Sequence, residues 1–301
     1  MKRNGRLPVA VLGAGLIGVD LAEKIMRSEF LDCGLVVGRD ENTPGLRQAA
    51  DLGLPIGTRG IDSLLDAPEP FGIVFDATNA MAHAEHAERL SLSGVKLVDL
   101  TPSKVGRMVI PSVNAADALD CDDVNMISCG GQASIPVLHA ITRTHRVEYV
   151  EVVTTAASPS VGRSTRLNLD EYVETTQDAV RDFTGVKDVK AILNISPARP
   201  PATFRVAMSM LGEGFGEASV HAAVTAAAER VRSFVPGYRI SACVVEEHKV
   251  FVAAEVTSSG GRIPRYAGNL DIINSAAVHV AEQCAAAGLA GIATGTETET
   301  P

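Results

Sequence analysis

Two groups of residues in this sequence have the type and spacing to do chemistry. Cys129 lies in NMISCGGQASIP, residues 125–136, after a strand-like run and directly before two glycines. A thiolate is a strong nucleophile. A helix starting nearby would lower the thiol pKa, and the amides of Gly130 and Gly131 could face a developing oxyanion. The second group is Gly13, Gly15 and Gly18 in GAGLIG, a GxGxxG turn between an apolar run and a helical pattern. Its first glycine permits the tight turn, the second lets backbone approach a pyrophosphate, and the third lets helix and strand pack closely.

Context strengthens the glycine turn as a dinucleotide site. Asp40 follows the second strand, where a carboxylate accepts from a ribose hydroxyl. Arg39 beside it would accept a 2′-phosphate that Asp40 would repel, so NAD is favoured and NADP stays open. Thr78, ending the strand FGIVFDAT, is a further candidate cofactor contact. A cysteine beside a nicotinamide implies one reaction. The thiolate adds to an aldehyde, hydride leaves to the nicotinamide, and the thioester is resolved by water, phosphate or a thiol.

Other reactive side chains read as structural. Free cysteine is commonly buried, so Cys33, Cys121, Cys243 and Cys284 are expected to be packing residues. His139 lies ten residues beyond Cys129 on the same helical stretch, ~15 Å of rise, too far to contact it. His83 and His86 have no further ligand at metal spacing and are expected on a solvated helix face. His248 is expected in a turn, facing water. Arg163 and Arg166 either hold phosphates or are surface charge.

These residues need elements to position them. Over the first hundred residues PVAVLG, LVVG, FGIVFDAT and VKLVDL alternate with helical patterns, which predicts a doubly wound parallel sheet. After Pro136 the texture changes. Ile135 to Thr144 reads as helix, and RVEYVEVVTTA alternates as a half-exposed strand with Val147, Tyr149, Glu151 and Val153 on one face. DEYVETTQDAVRDFTG and SVHAAVTAAAERVRSFVPG read as helices; AILNIS, FRVAMSML, RISACVVEE and VFVAAEV read as strands. The expectation is an α+β unit, an antiparallel sheet with helices on one face. We therefore expect a Rossmann domain over 1–130, completed by a C-terminal helix at 270–288, an α+β domain over 131–269, and a loose tail over 289–301.

Bulk properties narrow the function classes. The 301 residues carry a net charge of −9 and no basic run, which argues against a nucleic-acid partner. No apolar stretch reaches the ~18 residues of a membrane span, and the N-terminus runs straight into a strand rather than a cleavable leader. Five scattered cysteines without CxxC spacing suggest neither disulfides, a metal site nor an oxidising compartment, so a cytoplasmic location is expected.

NMISCGGQASIP, DLTPSKVGRMVIPSVN, VPGYR and YAGNLDIINSAA together resemble the acylating acetaldehyde dehydrogenases, from about Pro8 to Ala286. The resemblance implies a Rossmann domain followed by a catalytic and dimerisation domain similar to that of glyceraldehyde-3-phosphate dehydrogenase. It also implies reversible oxidation of a short aldehyde, acetaldehyde or propanal, to its acyl-CoA, with NAD as acceptor and coenzyme A as co-substrate. Further implications are a homodimer, and a 4-hydroxy-2-oxovalerate aldolase partner in aromatic hydrocarbon catabolism. Cys129 then matches the acyl-thioester cysteine. Ala14, Gly15, Leu16 and Ile17 match the first cofactor turn. Ser160, Val161, Gly162, Arg163, Ser164, Thr165, Arg166, Leu167 and Asn168 match the second cofactor loop, although Arg163 and Ser164 replace a proline–glycine pair. Asn269 matches an asparagine that reaches the nicotinamide amide.

Two positions depart from the family pattern. In PPATFRVAM an aspartate linked to catalysis in the family is Val206, which can neither relay a proton nor orient a base. Cys129 is then activated by local amides and the helix dipole, or another residue substitutes, or the activity has shifted. The loop between VPGYRI and PRYAGN is also shorter than in the family. The alternatives are a semialdehyde or acyl-phosphate dehydrogenase of the same architecture, and a diverged non-catalytic nucleotide-binding subunit.

Overall fold

The computed structural model describes residues 5–295. Seven strands form one sheet: β1 (Leu7–Leu12), β2 (Leu31–Val37), β3 (Ile56–Gly57), β4 (Ile73–Asp76), β5 (Lys96–Asp99), β6 (Arg107–Met108) and β7 (Asp123–Asn125). Their order is β3-β2-β1-β4-β5-β7-β6, and every pairing is parallel. Val9, Val11, Val36, Phe75 and Val98 are fully buried, because helices cover both faces of such a sheet. The doubly wound expectation is met.

Five further strands form the second sheet: β8 (Arg146–Ala157), β9 (Asp188–Ser196), β10 (Phe204–Glu213), β11 (Tyr238–Val245) and β12 (Lys249–Val256). The order is β11-β12-β10-β8-β9. Three pairings are antiparallel but β8 and β9 run parallel, so the sheet is mixed rather than antiparallel. The helix Leu169–Thr184 supplies the crossover that a parallel pair requires. Val150, Val152, Thr154 and Ala156 of β8 turn inward, while Val147, Tyr149, Glu151 and Val153 form the half-exposed face read from the sequence.

The helix Cys129–Thr142 packs against both β8 and β10 and begins six residues before the predicted start at Ile135. Pro136 sits inside it rather than at its edge. The last helix, Gly268–Gly295, returns to the first sheet, lying against the helix Leu16–Met26. Lys24 Nζ pairs with Asp271 at 2.6 Å, and Asn274 Nδ2 donates to the Ile17 carbonyl and to Asp20. Helix therefore covers 289–295, where a loose tail was expected; the rest of that tail lies outside the described residues. Among the described residues, no helix is long and apolar enough to cross a membrane.

Candidate active site

Cys129 is placed by a sharp turn between β7 and the helix it opens. Ile127 takes φ 66°, a left-handed conformation that is strained for a β-branched residue. Several bonds hold it there: Ile127 N–H donates to Asn125 Oδ1 at 2.8 Å, and Gln132 Nε2 donates to the carbonyls of Val109 and Met126. Ser128 is the N-cap, its Oγ accepting from Gly131 N–H at 2.9 Å. Cys129 thus becomes the first helical residue, half-buried.

Gly131 N–H is taken by Ser128 and is not the open donor expected from the sequence, whereas Gly130 N–H donates to the Tyr172 hydroxyl at 3.1 Å and also favours the thiolate. Glycine was expected there to expose amides; instead a Cβ on Gly130 would overlap both Thr154 Oγ1 and Tyr172 Oη. Tyr172 Oη also lies 3.6 Å from Cys129 Sγ. Burial pushes the Cys129 thiol up to about 11, opposed by the Tyr172 hydroxyl and the local backbone amides. Val206 is fully buried on β10, registered between Thr154 of β8 and Ala254 of β12, and brings no polar atom to this region.

The glycine turn has the geometry its spacing predicts. Gly13 has φ 112°, and a Cβ there would press on the Ala77 carbonyl. A Cβ on Gly18 would overlap the Gly13 carbonyl oxygen, whereas one on Gly15 would meet nothing within 4 Å. Among the described residues no side chain caps the helix Leu16–Met26 at Gly15, which leaves its first amides without a side-chain acceptor at the cap. Ala14 is buried and Leu16 is exposed at the mouth. Asp40 is exposed, with one carboxylate oxygen accepting from Asn42 N–H and Nδ2. Gly18→Ala is expected to abolish cofactor binding, since backbone must move apart. Fluorescence titration with NADH checks this against wild type.

The second loop folds as a short helix, Arg163–Leu167, between Gly162 and Asn168. Ser160 and Val161 are buried before it, and Ser164, Thr165 and Leu167 lie on its outer side or edge. Arg166 turns back to the Ser158 carbonyl and hydroxyl, and Arg163 is exposed. Asn269 joins this loop to the last helix through Nδ2 donating to the Ser160 carbonyl at 2.9 Å. Its Oδ1 is buried with no partner, as is Asn168 Oδ1. An open pyrophosphate turn and unpaired amide oxygens suit a dinucleotide, whose carboxamide can donate to them.

The histidine pair departs from expectation. His83 and His86 are buried, not solvated: His83 Nδ1 lies 2.9 Å from Asp76 Oδ2 and its Nε2 3.0 Å from Asp123 Oδ2, while His86 Nδ1 lies 2.7 Å from Asp76. Asp76 Oδ1 also accepts from Thr78 N–H and Oγ1, which ties the cluster to the candidate cofactor residue Thr78. The sequence signal was FDATNA followed by histidines one helical turn apart, facing a strand-end aspartate. Among the described residues, no group of side chains forms a metal site. His248 is exposed, as read.

Over 92% of the chain, the fold matches aspartate semialdehyde dehydrogenase II from Vibrio cholerae, solved as a complex with ASA. The TM-score is 0.64 at 13% identity, with 97% of that chain covered. The class of fold is therefore a Rossmann-like parallel sheet joined to a mixed sheet, with a cysteine at a helix start between them. Residues 129–264 match the family described as prokaryotic acetaldehyde dehydrogenase, dimerisation. The acetaldehyde dehydrogenase of Streptomyces griseus is 54% identical over 92% of this chain and 90% of its own length. That of Pectobacterium atrosepticum is 42% identical over 93% and 96%. The chain belongs to the acetaldehyde dehydrogenase family and is an oxidoreductase. Alignment with acetaldehyde dehydrogenase 3 of Rhizorhabdus wittichii runs over 304 positions for 94% of this 301-residue chain, so that relative has residues this chain lacks. The Streptomyces alignment runs over 278 positions for 92% and has no such gap.

Proposed function

We propose that this enzyme oxidises a short aldehyde, acetaldehyde or propanal, to its acyl-CoA with NAD, through a thioester on Cys129. The observation that carries the reading is Cys129 at the first turn of a helix, delivered by the strained Ile127 turn within a family of acetaldehyde dehydrogenases. Asn269, Gly15 and Asp40 would hold the dinucleotide, and when bound its nicotinamide accepts the hydride. Sulfur attacks the carbonyl carbon, the thiohemiacetal loses hydride to leave a thioester, and the CoA thiol displaces Cys129.

Purified protein given aldehyde and NAD should form NADH in continuous turnover with CoA and not with phosphate. Turnover with phosphate alone would replace this reading by an acyl-phosphate dehydrogenase. Asp40→Ser is expected to weaken NAD roughly tenfold, by ~1.4 kcal/mol, while sparing NADP. KM values for the two cofactors measure it.

A homodimer through the second sheet is part of the proposal. Its outward face carries Leu211 and Val244 exposed beside half-exposed Val147, Tyr149 and Phe251, and the matched family model is named for dimerisation. The aldolase partnership implied by the resemblance belongs to the same reading, and co-purification tests it.

A further inference from the structure

Val206, where the resemblance implies a carboxylate, is buried among apolar side chains, so the cysteine has no acidic neighbour from that position of β10. The contacts of the sulfur point elsewhere. Tyr172, on the helix Leu169–Thr184, places its hydroxyl 3.6 Å from Cys129 Sγ and accepts from Gly130 N–H at 3.1 Å. An oxygen already accepting from an amide is left with its own O–H to give away. The amide polarises that O–H, and the positive end of the helix adds to the effect.

The phenol is also fixed. Tyr172 is 5% exposed, and its backbone carbonyl accepts from Thr176 Oγ1 at 2.7 Å. Thr176 Oγ1 in turn meets the N-cap Ser128 Oγ at 2.8 Å. The tyrosine and the cysteine helix are thus tied together on both sides of the sulfur. Thr154 of β8 brings an uncharged hydroxyl beside Gly130 and to the Tyr172 hydroxyl, where as a donor it leaves the phenol O–H to the sulfur.

We propose that Tyr172 is the group that supports the Cys129 thiolate in place of the family's carboxylate, acting as a hydrogen-bond donor and not as a base. The thiol releases its proton to water, and Tyr172 keeps its own and donates it to the sulfur anion. Because burial raises the Tyr172 hydroxyl well above its ordinary value, it stays protonated at any pH where the enzyme works. Among the described residues, Tyr172 is the one ionisable side chain acting on this thiol; Thr154, Thr176 and Ser128 around it do not titrate in this range. The inference rests on the reading of Cys129 as nucleophile.

The test is the pH dependence of Cys129 alkylation by iodoacetamide, followed by peptide mass spectrometry, in wild type and Tyr172→Phe. The assay needs no aldehyde, cofactor or CoA, so it reads the tyrosine even if the CoA turnover assay fails. Loss of one charge-assisted bond should raise the midpoint by about one pH unit and cut neutral-pH reactivity roughly tenfold. An unchanged midpoint in folded Tyr172→Phe overturns the proposal. Should that variant fail to fold, wild-type protein grown on 3-fluorotyrosine carries a more acidic phenol and a stronger donor. Its midpoint should fall, and no movement overturns the proposal equally.

Discussion

Cys129→Ala is expected to remove aldehyde oxidation by roughly a thousandfold or more, because no second nucleophile can take the acyl group. Among the described residues the other four cysteines are poor substitutes. Cys33 is buried on β2, Cys243 lies on β11, Cys284 lies within the last helix and Cys121 lies between β6 and β7, so none sits at the turn that delivers Cys129. None of them opens a helix. Incubation with aldehyde and NAD, without acceptor, should leave an acyl mass on the Cys129 peptide of wild type and none on the variant. Cofactor affinity should be unchanged, since the glycine turn is built from other elements. Equal rates in variant and wild type would remove the thioester mechanism altogether.

His83→Leu is expected to destabilise the fold by about 3–5 kcal/mol, because it strips the cation from between carboxylates that are otherwise left unpaired. His83 has no exposed surface, and Asp76, Asp99 and Asp123 lie 2.9, 3.6 and 3.0 Å from its nitrogens. Burial opposes its charge, but bonds to Asp123 and Asp76 and the field of Asp99 outweigh it and carry it up to about 10. A histidine raised this way stabilises the fold fully below its ordinary value of 6.5, and that contribution is lost as pH rises through about 10. Asp76 behaves oppositely. Burial raises it, yet bonds from His83 and His86 hold it down to about 2, so its contribution is present above 3.8 and lost as pH falls through about 2. Asp99, raised to about 7 by burial against the pull of His83, subtracts stability as pH climbs from 3.8 to 7. Urea unfolding should therefore show wild type losing stability between pH 6.5 and 10, and the leucine variant lacking that slope.

What could be read in advance follows from where information is local. The parallel sheet, the glycine turn and the cysteine helix are written in short windows: alternation, GxGxxG, and CGG after a strand. The helix start was misplaced at Ile135 because Pro136 looks like a boundary, and its interior position is decided by the core that buries Ile135 and Leu138 on either side. The parallel pairing of β8 and β9 was missed because a strand carries no mark of its partner's direction. His83 was read as solvated since its partner carboxylates stand seven, sixteen and forty residues away, on β4, β5 and β7. Tyr172 was missed for the same reason. It is forty-three residues from Cys129, and DEYVETTQ reads as an ordinary amphipathic helix in which an aromatic is core.

The last helix carries one more consequence. Lys24, Asp20 and Ile17, on the helix that opens the nucleotide turn, find partners in Asp271 and Asn274, some 250 residues downstream. Chains emerge from the ribosome N-terminus first, at a handful of residues per second. The opening βαβ segment must therefore wait with an uncovered flank while some 250 further residues are made, and the helix behind the glycine turn gains these partners only once Asn274 has emerged. On the proposed reading of that turn, a growing chain should gain affinity for dinucleotide abruptly once this helix docks, not in step with its length.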